Sequence, residues 1–387
     1  MYSVLKTKVK AIFLILFVLI FLSVLLLFPS ESSEGVKNGL NYSATLLIPS
    51  LFPFMVLSSF VIRSGFSEIA GKLFSKITKF FFGLPSVCSA AIILSLVGGF
   101  PVGAKCVRLL YDEKKISLLQ AQQMMLFCVC SGPAFLITAI GAIMLKNITA
   151  GIILYISQIL SCIILGIVSR FIYHKKTAES VPHKTESKPK INIISAFIMS
   201  SSDGAKSITE MTALVVIFSM FINVAEKSGI ISFLSDIFSS IGINSRFADL
   251  IIPSVLEVTG ACSKICDGAL PLWFLSLAVG FGGLCVHLQI FDILHGINIK
   301  KTVFLIFRII NAILSSFLTY IICIFYNPSA NTFATAEFSE TALTSSTVAG
   351  TVALIIMSIV FLLSLKKTLC FDKKSVLPRN INGTKRI

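Results

Sequence analysis

Long apolar runs alternate along this chain with short polar intervals rich in Lys and Arg. The first, Ala11 to Phe28, follows Lys6, Lys8 and Lys10 and carries no charge. Others lie at 45–62, 84–104, 118–145, 149–172, 206–226, 247–263, 270–292, 302–326 and 347–365. A hydrocarbon core about 30 Å thick needs about 20 apolar residues of helix, so these runs predict membrane spans. The first run is longer than a leader's apolar region and no small-x-small site follows it, so it reads as a retained span. The stretch 173–190 is polar and basic and reads as a loop between two halves.

Two runs look too short or too broken to cross. Pro85 to Val97 would make about 20 Å of helix, and the chain then breaks at Gly98-Gly99-Phe100-Pro101-Val102-Gly103. Irregular backbone at membrane depth survives only when buried in protein or lining a cavity. The second half repeats the order of the first. Ser64-Gly65 and Ser228-Gly229 each open a stretch with apolar spacings of 3 and 4 (Phe66, Ile69, Leu73; Ile230, Phe233, Leu234), the pattern of a helix lying in the interface. GGFPVGAK (98–105) then corresponds to EVTGACSK (257–264). Each is followed by a span with a central interruption, Ser131-Gly132-Pro133 or Gly280-Phe281-Gly282-Gly283.

Composition narrows the class. Of 387 residues 55% are hydrophobic and 13% charged, against about 25% charged in a soluble domain. That excludes a soluble enzyme, a disordered tail and a disulfide scaffold. The net charge of +15 sits in clusters between apolar runs, the positive-inside pattern, and does not point to nucleic acid. If 84–104 and 247–263 both return to the side they entered from, only Lys37, Lys146, Lys227, Arg246 and Lys264 lie outside, and the other 28 of the 33 basic residues lie inside. If every run crosses, the cluster Arg170, Lys175, Lys176, Lys184, Lys188 and Lys190 falls outside. Charge therefore favours two re-entrant segments, and the two halves then run in opposite orientations.

The expected fold is an all-α polytopic membrane protein with about eight full transmembrane helices and two re-entrant hairpin-like segments in two inverted repeats. Its expected parts are an anchor span (1–34), a first repeat (35–172), a basic cytoplasmic loop (173–205), a second repeat (206–326), an extracytoplasmic loop (327–346), and a last span with a basic tail (347–387). Both termini would be cytoplasmic, in a multi-pass protein of the cell membrane.

Candidate chemistry gathers at the breaks. Glu257 is the one carboxylate well inside an apolar segment of this kind, and such a group normally faces a cavity, an ion or a partner. Its alternatives are a structural ion pair, with Lys105 or Lys264, or a helix cap. Gly98, Gly99, Gly103, Gly132, Pro133, Thr259, Gly260, Gly282 and Gly283 would shape the breaks, whose half-helix N-termini attract polar or anionic groups. Gly99, Gly103, Gly132 and Gly283 should resist replacement by Leu more than Gly151 or Gly166. His287 could relay a proton or simply pack, and Gln289 follows it on another face. Gln158 and Asn311 read as inter-helix hydrogen-bonding residues. Cys128/Cys130 and Cys262/Cys266 lack a His or carboxylate spaced to complete a tetrahedral site, so no metal is expected. No metalloprotease, nucleophile-elbow or phosphate-loop motif appears, so no enzyme is expected.

The segments SLFPFMVLSSFVIRSG, LVGGFPVGAK, CSGPAF and GFGGLCVHLQ, in that order, resemble the YlbJ family of sporulation integral membrane proteins of endospore-forming Firmicutes, over roughly residues 35–325. The resemblance implies a nucleoside-recognition Gate domain, similar to concentrative nucleoside transporters in its two inverted repeats with re-entrant hairpins. It also implies a part in spore cortex formation. It implies no substrate.

Two functions follow as expectations. One is a secondary transporter or permease for an unidentified small polar solute, with Na+ or H+ as a coupling cation and no other cofactor. The other is a non-transporting scaffold that recruits cortex-assembly proteins. Membrane lipid is the expected partner in both, with self-association left open.

Overall fold

The computed structural model describes residues 21–177 and 192–326, with a few positions between 12 and 19. Most of the first apolar run, the middle of the central loop (178–191), the 327–346 loop, the 347–365 run and the tail lie outside the described residues. Every regular element among the described residues is helical. Five stretches are long and apolar enough to cross a membrane: Pro29–Arg63, Ile148–Tyr173, Ile193–Lys227, Leu272–Ile293 and Lys301–Phe325.

The first half opens with α1 (Pro29–Tyr42), which passes through a π-helical turn (Ser43–Leu47) into α2 (Ile48–Arg63). Then come α3 (Phe66–Phe82), α4 (Cys88–Gly98), α5 (Phe100–Asp112), α6 (Leu118–Met125), a π-helix (Ala134–Met144) and α7 (Ile148–Thr177). The second half has α8 (Ile193–Lys227), α9 (Ile230–Ser240), α10 (Ser245–Leu256), α11 (Val258–Asp267), α12 (Leu272–Phe281), α13 (Gly283–Ile293) and α14 (Lys301–Phe325). The order matches element for element: a 35-residue helical stretch, a short amphipathic helix, a broken pair, an interrupted span and a long helix. Gly65 and Gly229, at φ +83° and +80°, make the same left-handed turn into α3 and α9.

The two 35-residue stretches lie side by side and antiparallel. Glu31 accepts a hydrogen bond from Asn223 Nδ2 (2.7 Å), and Arg63, at the other end, pairs with Asp203 (2.7 Å). Small residues allow the approach. Ser32, Gly35 and Gly39 are buried, and a Cβ on Gly35 would come 2.6 Å from the Cα of Met220. Such small-residue contact is how helices pack tightly in lipid.

Two boundaries differ from the sequence expectation. The helical stretch begins at Pro29, well ahead of 45, because its polar face packs on α8. The loop expected over 173–205 is helical up to Thr177 and again from Ile193. There Ala196, Ser200 and Gly204 are buried at every fourth position, and Asn192 caps the Ile194 N–H. Hydropathy alone reads SSSDGAK as a loop, but a small-residue stripe with a cap makes it helix.

The polarity of the molecule suits lipid. Phe171, Phe317 and Phe325 are exposed, while Gln158, Arg308 and Asn311 are buried. Asn311 ties α7, α12 and α14 together: it donates to Gly280 O (2.9 Å) and Gln158 Oε1 (3.4 Å) and accepts from Ser161 Oγ (2.7 Å).

Candidate functional site

Each half contributes two chain interruptions, and the four meet. In the first pair α4 turns into α5 at Gly99 (φ +89°, ψ −174°), a conformation open to glycine and little else. Four residues on, a Cβ at Gly103 would land on the carbonyl oxygen of Cys128. In the second pair one extended residue, Glu257 (φ −145°, ψ 123°), separates α10 from α11. The interrupted spans open at 126–133 and at Gly282, whose φ is +87°. A Cβ on Gly99 would lie 3.2 Å from Gly132 N, one on Gly283 3.2 Å from Val258 N, and one on Gly282 3.2 Å from the Phe100 ring. Each hairpin tip thus rests on the break of its own half, and Phe100 crosses to the other.

A small, partly open cleft lies between them. Gly99, Phe100, Ser131 and Gly132 line it from the first half, and Glu257, Thr259 and Gln289 from the second, with Leu51, Met211 and Val215 as apolar wall. The helices α5, Ala134–Met144 and α11 all begin at this wall, presenting N–H groups that have no partner within their own helix. Helix N-termini carry partial positive charge.

Glu257 answers one of them. Its carboxylate is buried and accepts the N–H groups of Thr259 and Gly260, each at 2.7 Å, so it is the N-cap of α11. Among the described residues it has no ion pair. The two lysines weighed as its partners are engaged elsewhere: Lys264 pairs with Glu226, and Lys105 donates to Ser207 Oγ (3.1 Å). A second small space touches the other side of Glu257 and is lined by Asn38, Tyr42, Asn223, Gly260 and Lys264. The carboxylate is shared by both.

Two further wall groups want partners. Among the described residues, Ser131 Oγ and Gln289 Oε1 are buried without a hydrogen-bond partner. Buried polar atoms are normally satisfied, so a solute or water has a place to bind here.

The remaining candidates lie around the cleft rather than in it. Gly98 and Gly103 shape the first hairpin, Pro133 starts the Ala134–Met144 helix, Gly283 packs on the tip of its own half at 256–258, and Gly282 packs on Phe100 of the other. His287 is turned away from the cleft: Nε2 sits 2.9 Å from Phe281 O, and its ring packs between Phe281 and Phe304. Its place in the structure is to hold the carbonyl end of α12 beside the Gly282 break. Sequence reasoning placed Ser131 in the break without giving it a role in the site, and it missed Arg308. Arg308 is fully buried in α14 and donates to Leu126 O (2.8 Å) and Val129 O. Leu126 is the C-cap of α6 and Val129 lies in the irregular stretch just beyond it, so a cation meets the negative end of a half-helix and the break that follows. The signal was there: a lone cation in the middle of an apolar span.

Over 331 residues the chain is 22% identical to the sporulation integral membrane protein YlbJ of Bacillus subtilis (strain 168), covering 79% of this chain and 81% of that protein. The chain is similar to YlbJ along most of its length. The match agrees with the resemblance carried by the four segments, two of which, LVGGFPVGAK and GFGGLCVHLQ, hold the first hairpin tip and the Gly282 break. That relative is by name an integral membrane protein, and the five long apolar stretches of this chain make it a multi-pass membrane protein too. No family model and no solved structure matches the chain.

Proposed function

We propose that this chain is a secondary transporter or permease for a small polar solute, working in sporulation and needed for cortex formation. The observation that carries the reading is the meeting of two hairpin tips and two broken spans around a buried carboxylate. Broken helices at matching places in two inverted halves are how transporters build a site at mid-membrane. The solute binds against Ser131, Gln289 and the free helix N-termini. Glu257, placed between the two spaces, carries the coupling cation, Na+ or H+. Alternating access moves one half against the other. No chemistry is performed on the solute.

The inverted, re-entrant topology is part of the proposal, and antiparallel packing and four contacts support it. Equivalent helical stretches run antiparallel. The matched lysines of the hairpins, Lys105 and Lys264, reach Ser207 and Glu226 of α8, which the helical rise places about 28 Å apart, close to a membrane's thickness. Gln123 Nε2 donates to Phe82 O (2.7 Å), joining regions that lie on the same side only if 84–104 re-enters, and Arg108 donates to His295 O, joining regions that lie on the same side only if 247–263 re-enters. On this topology both termini are cytoplasmic and the protein sits in the cell membrane of the sporulating cell.

The test is uptake from a metabolite mixture by proteoliposomes, wild type against Glu257→Gln. Wild-type accumulation of a solute that the variant fails to take up supports the reading. No uptake by either, with normal heat-resistant spores from the variant, overturns it and favours the scaffold.

A further inference from the structure

Helix α3 has three faces. Thr78 and Phe82 are buried, Thr78 against Ser89 (2.8 Å) and Phe82 stacked on Phe127. Leu73, Ile77, Phe80 and Phe81 are exposed on a second face. Lys72, Lys76 and Lys79, at spacings of 4 and 3, are exposed on a third, within about 60° of one another at 3.6 residues per turn. Glu68 precedes Lys72 by one turn, so the helix carries a net charge of +2.

The depth of α3 is fixed at both ends. It starts three residues after Arg63, where the first long span ends. Near its other end Phe80 O accepts a hydrogen bond from Arg170, three residues short of Tyr173, where the next span ends. The helix therefore runs about 25 Å along one face of the membrane. Its counterpart α9 has the same design, with Ile230, Phe233, Ile237 and Ile241 exposed, but its polar positions are Ser232, Asp236 and Ser240. Only α3 is basic.

We propose that α3 is a docking face for anionic phospholipid, its Phe80–Leu73–Ile77 face lying among acyl chains and its three lysines among the phosphates. Basic residues on an amphipathic helix attract anionic headgroups, and the attraction falls off within a Debye length. The same face bears Arg63 and Arg170, and it is the face assigned to the cytoplasm above. The inference is independent of whether the protein transports anything.

The test uses the full chain, whose single tryptophan, Trp273, is replaced by Phe and a new one placed by Ile77→Trp. The protein is reconstituted in phosphatidylcholine vesicles containing a minor fraction of brominated phosphatidylglycerol or brominated phosphatidylcholine. Quenching should show about a fivefold preference for the anionic lipid, the attraction of roughly one lysine. The preference should vanish in about 1 M salt and in a Lys72→Gln, Lys76→Gln, Lys79→Gln variant. A tryptophan at Ile237 of α9 should show none. Equal quenching by both lipids overturns the proposal, as does a preference that survives loss of the lysines. Absence of quenching by either lipid also overturns it, since protein, such as a second copy, would then cover the face.

Discussion

Glu257 and Arg308 are the two buried charges whose surroundings explain most about this protein, and each is held by backbone rather than by an opposite charge. Glu257 caps α11 through two N–H groups. Glu257→Gln keeps one acceptor oxygen and turns the other into an amide that cannot accept. The expected loss is one charge-assisted hydrogen bond, about 1.5–3 kcal/mol, read as a lower unfolding midpoint in detergent with the protein still inserted. Because Lys264 already pairs with Glu226, replacing Lys264 or Lys105 as well should not restore it. Recovery in the double variant would show that the ion pair, not the cap, matters. Arg308→Met leaves the carbonyls of Leu126 and Val129 unpaired, at about 1–3 kcal/mol each. Arg308→Lys keeps the charge but lacks the planar fork that reaches both, so its midpoint should fall between wild type and Met. Glu257 was legible in the sequence because a carboxylate inside an apolar segment is conspicuous. The partner of Arg308 was not, because Val129 lies 179 residues away and donates no pattern of its own.

At the scale of helices, glycine has two jobs here, and the sequence separates them poorly. Gly99, Gly282 and Gly283 need positive φ, and Gly103 needs the absence of a Cβ. The expectation that the break glycines would resist Leu more than Gly151 or Gly166 rested on those two having room, and the structure gives them none. A Cβ on Gly151 would sit 2.7 Å from Leu136 O, and one on Gly166 would strike the Phe82 ring. The useful contrast is with Gly65, which has positive φ and nothing within 4 Å. Gly65→Asn should lower stability by no more than about 1 kcal/mol, since Asn tolerates the left-handed region. Gly103→Ala should abolish accumulation of folded protein, because the obstacle is backbone. Similar amounts of both variants on fluorescence-detected size exclusion would refute this account. The breaks themselves were readable from Gly and Pro runs. The start of α8 at Ile193 was not, because a small-residue stripe acquires its meaning only from the helix it meets.

At the largest scale, the described residues follow one arrangement: two helical stretches of equal length packed antiparallel, each followed by a pair of helices that meet at a break, Gly99 in the first half and Glu257 in the second. The order of elements could be read from the sequence alone, since hydropathy, glycine turns and interruptions recur in register. Their antiparallel packing could not, because orientation rested there on counting basic residues, a rule about loops. The contacts of Arg63 with Asp203, of Arg108 with His295 and of Gln123 with Phe82 supply an independent argument. They bring 63–83, 105–123, the start of α8 and 294–300 to one face. If 84–104 crossed fully, residues 105–117 would lie a membrane thickness away from 63–83, and the Gln123 bond to Phe82 O could not form. In a Cys-free background, cysteines at Lys114 and Lys184 should therefore react with impermeant thiol reagents only from the cytoplasmic side. Cysteines at Lys146 and Arg246 should react only from outside. Labelling of Lys114→Cys and Lys184→Cys from outside, with Lys146→Cys reacting from the cytoplasmic side, would mean that 84–104 crosses. The inverted repeat would go with it, and with that the reason for placing a transport site where the four breaks meet.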